Sequence, residues 1–192
     1  METFEIRKMR KHQFVLFNCL LVVVLSLYLG FAINFSITMA QSNLIIAIIT
    51  LSTAIFTFIT RNHPTSIFPI LKQVQAYEKR KLGDEWKKQR KTTYISQFIL
   101  SGLLFMQYFI TRTINEPLYE RAVLVPIIVI FIVIIAAINI ALLLHNRKVD
   151  RSISPAEMRG YTKNANIIGG AIGIILGISL FVFIITYVML TG

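Results

Sequence analysis

Three kinds of residue stand in this sequence where they could do chemistry. His12, His63 and His145 offer three imidazoles, a donor set that zinc and other transition metals take. They lie far apart in the chain, and an isolated histidine beside an apolar run is ordinarily an amphipathic residue at a membrane surface. No metal ion or other cofactor is therefore expected. Thr50, Thr53, Thr57 and Thr60 recur at steps of three, four and three, which puts four hydroxyls down one side of a helix. Such a stripe could wall a path for a solute. The simpler reading is hydroxyls bonded to a neighbouring helix or to their own backbone, each contributing about 0.6 kcal/mol. Ala165, Gly169, Gly173 and Gly177 stand at strict four-residue spacing, a bare face against which another helix, of this chain or of a partner, can pack closely.

Catalysis finds less support. Chemistry inside a bilayer usually needs an ionisable residue there, and no Lys, Arg, Asp or Glu falls within any of the apolar runs. No Ser-His-Asp or Cys-His grouping, paired carboxylates or glycine-rich phosphate loop can be assembled, so no catalytic residue is assigned and a non-enzyme is expected. The lone cysteine, Cys19, excludes an intramolecular disulfide and a cysteine zinc cluster; it reads as a packed or lipid-facing thiol. Asn139 and Gln107 read as interhelical hydrogen bonders. Arg112 and Glu116 read as an exposed pair worth about a few tenths of a kcal/mol.

The elements that carry these residues are five apolar runs, at 14–35, 43–60, 94–111, 122–144 and 166–190. Runs of about 18–25 residues, at a rise of about 1.5 Å each, match a hydrocarbon core of about 30 Å. In lipid the backbone must satisfy its own polar groups, so the runs are helices. The fold class is all-α: one membrane domain over 1–192, a bundle of five transmembrane helices without internal repeat. The first run exceeds the length of a cleavable signal core and is expected to be retained. The short uncharged link at 36–42 makes the first two spans an antiparallel hairpin.

Charge orients the bundle. Of the 20 Lys and Arg, 18 lie in the N-terminus, the central stretch 61–93 and the loop after the fourth run, which five spans place on one side. By the positive-inside rule that side is cytoplasmic, with the C-terminus outside. Topology thus accounts for the net charge of +11 without nucleic acid as a partner. An Ile-, Lys- and Asn-rich style suggests a bacterium, and hence its inner membrane.

The central stretch has its own pattern. Thr65 or Ser66 can cap a helix with Pro69 in its first turn, and Ile70, Leu71, Val74 and Tyr77 then share one face. Gly83 ends that helix. Asp84 can cap a second one, in which Trp86 lies at headgroup depth before the third span. Lys72, Lys79, Arg80, Lys81, Trp86, Lys87 and Lys88 are the residues expected to meet anionic inner-leaflet lipids or a partner, and whether this amphipathic segment lies on lipid or on protein stays open. The expected function is a subunit or accessory of a membrane complex, bound to another membrane protein or to a second copy. The alternative is a small transporter or channel lined by the threonine stripe.

Overall fold

The computed structural model describes residues 3–113 and 121–191. Among them, six α-helices and one short 3-10 turn carry the chain: α1 (Thr3–Asn34), α2 (Met39–Ile59), α3 (Pro69–Leu82), α4 (Asp84–Thr111), α5 (Arg121–Arg151), the turn (Pro155–Met158) and α6 (Tyr161–Thr191). Five of the helices, all but α3, are long and apolar enough to cross a membrane. The all-α, five-span architecture read from the apolar runs is therefore the one observed. Glu116 lies outside the described residues, and with it the expected Arg112 pair.

The helices outrun the apolar runs at the basic end of the bundle. α1 begins at Thr3, α4 at Asp84, and α5 continues to Arg151. Their polar extensions have inward apolar residues at helical spacing, so they can bury a core against α3 in water, where burial of apolar surface drives packing. That core consists of Met9 from α1, Val74, Tyr77 and Leu82 from α3, Trp86 from α4, Val149 from α5 and Met158 from the turn.

Local rules explain the joints. Thr38 and Gln41 form a reciprocal capping box at the start of α2: the Thr38 hydroxyl accepts from the Gln41 N–H at 3.2 Å, and the Gln41 side chain accepts from the Thr38 N–H at 3.0 Å. Pro69 opens α3 as expected, but the capping position falls on Phe68 rather than on Thr65 or Ser66. The Ser66 hydroxyl instead accepts from the Phe68 N–H at 3.2 Å, bracing the turn one step earlier. Gly83 ends α3 and starts α4, so it, and not Asp84, holds the capping position of α4. Its φ of +57° favours glycine, and a Cβ there would lie 3.1 Å from the Pro155 Cβ. The tight elbow and the seating of the turn on it need the same missing side chain.

Within the span, α2 and α4 pack along their length as an antiparallel pair. Ala40, Ala47 and Ala54 recur every seven residues on the buried face of α2, with Ala47 and Ala54 at 0% exposure. Opposite them, the Ser101 hydroxyl donates to the Ala47 carbonyl at 3.0 Å, and Tyr94 meets Phe58 edge to face at 5.3 Å. Alanine at this spacing lets the backbones approach, which is how helices associate where lipid removes any hydrophobic difference between them.

Candidate functional site

At the basic end three helices meet at one guanidinium. Arg10 of α1 donates through Nη1 to Glu78 Oε1 at 2.7 Å on α3, and through Nη2 to Asp150 Oδ1 at 2.9 Å on α5. Its Nε lies 3.2 Å from both Asp150 oxygens, and Nη1 also donates to Gln13 at 2.9 Å. Arg10 is flat, permanently charged and forked, so one side chain can satisfy two carboxylates from different helices. Its side chain is only 10% exposed, and Glu78 only 14%. Tyr77 flanks the guanidinium, with its ring centre 5.4 Å away.

His145 extends this cluster to α6. Its Nε2 is 3.4 Å from Glu78 Oε1, and its Nδ1 is 2.7 Å from the Tyr161 hydroxyl. A neutral ring with its proton on Nε2 can face the carboxylate and accept from Tyr161, and an imidazolium can face the same carboxylate. Burial would push the Glu78 carboxyl up. The hydrogen bond and charge of His145, with those of Arg10, outweigh burial and hold it below its ordinary value. The result is an ionic clamp closing α1, α3, α5 and α6 under the spans.

A second clamp joins α4 to α6. Glu85 is 4% exposed; its Oε1 accepts from the Gly160 N–H at 3.2 Å and from Lys88 at 2.7 Å. Its Oε2 accepts from the Thr162 N–H at 2.9 Å, and the Thr162 hydroxyl donates to the Glu85 carbonyl at 3.1 Å. The first N–H groups of α6 have no partner within their own helix, and a carboxylate from α4 takes that place, with its charge at the positive end of the helix dipole.

The candidate residues are distributed as follows. The apolar face of α3 packs on protein: Val74 and Tyr77 are buried in the core. Trp86, expected at the headgroups, is 3% exposed, with Lys79 over its ring at 5.3 Å and Arg90 at 5.4 Å. Burial among helices that meet in water explains the difference, because the residue lies on the inward face of α4 beside Glu85. Lys79 donates to the Asn62 carbonyl at 2.8 Å, Lys81 to the Ser152 carbonyl at 2.6 Å, and Lys88 to Glu85, so three of the expected surface cations brace the fold. Lys72, Arg80 and Lys87 are exposed.

Thr53 of α2 and Thr60, which caps its end, donate to the Thr50 and Phe56 carbonyls at 2.9 and 2.7 Å, while Thr57 is buried. Asn139 exchanges amide hydrogen bonds with Asn18 of α1 at 2.7 and 2.8 Å, whereas Gln107 is exposed. His12 and His63 are exposed, whereas His145 is half-buried, and Cys19 is exposed. On α6, Ala165 is half-buried. A methyl built on Gly169, Gly170, Gly173 or Gly177 meets no atom within 4 Å beyond its own helix backbone, so packing of this face within the described chain is not observed.

Sequence reasoning passed over Arg10, Glu78, Glu85 and Asp150. A signal was present: these three acids stand in segments whose charge is otherwise strongly positive, where an acid has a structural use or none. Comparison with known proteins adds no function: no family model, curated protein or solved structure matches the chain.

Proposed function

We propose that this chain is a non-catalytic subunit or accessory component of a membrane assembly, with its basic end in the cytoplasm and its C-terminus outside a bacterial inner membrane. The observation that carries the reading is the bare glycine face of α6. That helix is held at its basic end by Glu85 and by the contact of Tyr161 with His145. Beyond that, its most apolar stretch is unburied by the other described residues. Small residues on α2 are used within the chain, against α4, whereas those on α6 face outward and suit a helix of another membrane protein or of a second copy. The junction below would hold α6 at a fixed angle for that contact.

Replacing Gly173 by Leu is expected to leave insertion intact and to shrink the complex recovered from the membrane. Unchanged complex size on native gels would count against the reading. The transport alternative has weaker support, because the Thr53 and Thr60 hydroxyls are donated to their own backbone. It would regain support if replacing Thr53 and Thr57 by Val abolished a measured flux.

A further inference from the structure

The last turns of α5 have two faces. Asn146, Val149 and Asp150 turn into the junction. On the other side Leu144, Arg147, Lys148 and Arg151 recur at three- and four-residue steps. With Ser152, Glu157 and Met158 they line a cavity of about 330 Å³ between the end of α5 and the 3-10 turn. Among the described residues the side chains of Arg147, Lys148 and Arg151 have neither a hydrogen bond nor an ion pair, unlike those of Arg10, Lys79, Lys81 and Lys88. The one carboxylate in the lining is occupied: Glu157 Oε2 accepts from the Ile153 N–H at 3.0 Å. The cavity keeps an excess of positive charge that nothing in the fold uses.

Its position narrows what would neutralise it. The apolar run of α5 ends at Leu144, and Arg147 follows three residues later, about 4.5 Å along the axis. That is the depth at which lipid phosphates meet the hydrocarbon. Directly below, Ile140, Leu143 and Leu144 are more than half exposed and continue the same side of the helix into the span. A soluble anion would use the cations alone, whereas a phospholipid would use both the cations and the apolar track beneath them.

We infer that this cavity holds the phosphate headgroup of an anionic phospholipid, with the acyl chains lying along the Ile140–Leu144 side of α5. The inference goes beyond the proposed role in an assembly and does not need it. Basic pockets at the margin of a span attract anionic headgroups, with about fivefold in affinity for each cation near them.

The test uses the full-length protein in neutral detergent, with bound lipid counted by native mass spectrometry. Phosphatidylglycerol should be retained, phosphatidylcholine of the same chains should not, and glycerol phosphate should not displace the lipid. Changing Arg147, Lys148 and Arg151 together to Gln should weaken phosphatidylglycerol binding on the order of a hundredfold. The same change at Lys8, Lys11 and Lys91, exposed residues outside the cavity, should leave it nearly unchanged. The single reversal Lys148→Glu, a mild change at an exposed position, should weaken it about thirtyfold. Equal losses in both triple variants, or no loss in the reversal, would overturn the inference in favour of diffuse attraction. Retention of phosphatidylcholine would overturn it in favour of an apolar collar, and displacement by glycerol phosphate in favour of a soluble-anion site.

Discussion

The basic end and the membrane span of this protein are held together in different ways. At the basic end, four helices and a turn share a buried apolar core, and two carboxylate clamps close over it. In the span, α2 and α4 share a tight alanine seam, α1 and α5 share an asparagine pair, and α6 shows a bare glycine face. Water accounts for the contrast. Where the helices emerge, apolar burial drives them together and ions can be fixed over the core. In lipid that drive is absent, and only small residues or polar pairs bring helices together. The bare face on α6 is thus the part of the span equipped for packing and left unused by the described residues.

The largest effect is expected from breaking the clamp at the basic end. Arg10→Met leaves Asp150 without its ion-pair partner and Glu78 with His145 alone, and loss of one side of a buried pair costs roughly 3–5 kcal/mol. Thermal unfolding in detergent should show a large drop, while a shift no larger than that of an exposed lysine variant would show the clamp to be idle. Within the span, Ala47→Leu forces a large side chain into the seam and should cost about 1–3 kcal/mol, read by the same melt. A wild-type melt would mean that α2 and α4 can separate freely.

Acid gives a milder probe of the same contrast. Glu78 is held below its ordinary value of 4.5, so its ionisation adds stability that is complete above that value and is lost as pH falls through the lower value of the folded state. The melting temperature should decline below about pH 4.5, and Glu78→Gln should flatten that decline. An identical acid limb in the variant would place the loss elsewhere. The smallest change is expected from Asn18→Leu: the Asn18–Asn139 pair lies in the span, where such bonds contribute about 0.6 kcal/mol. A shift as large as that of Arg10→Met would reverse the ranking of the two regions.

The five spans were legible because hydrophobicity over a bilayer's length is a strong local signal, and the elbow at Gly83 was legible for a similar local reason. The clamps were not. Arg10 finds Glu78 68 residues away and Asp150 140 residues away, and no short-range spacing records such pairs. Trp86 was misplaced because an aromatic residue near a span fits a headgroup and a water-side core equally well until its neighbours are known. The alanine seam was present at every seventh residue of α2, but the adjacent threonines form the more conspicuous pattern. The glycine ladder of α6 was visible as a packing face, whereas the side it packs against depends on tertiary arrangement.

The most direct measurement is the size of the complex extracted from native membranes after mild crosslinking, for the wild type, Gly173→Leu and Ile175→Phe on the opposite side of α6. If the glycine face seats a partner helix, the wild type and Ile175→Phe run as an assembly larger than the monomer. Gly173→Leu then falls to the monomer with an unchanged melt. A wild type that is already monomeric, or a Gly173→Leu complex of undiminished size, would contradict it.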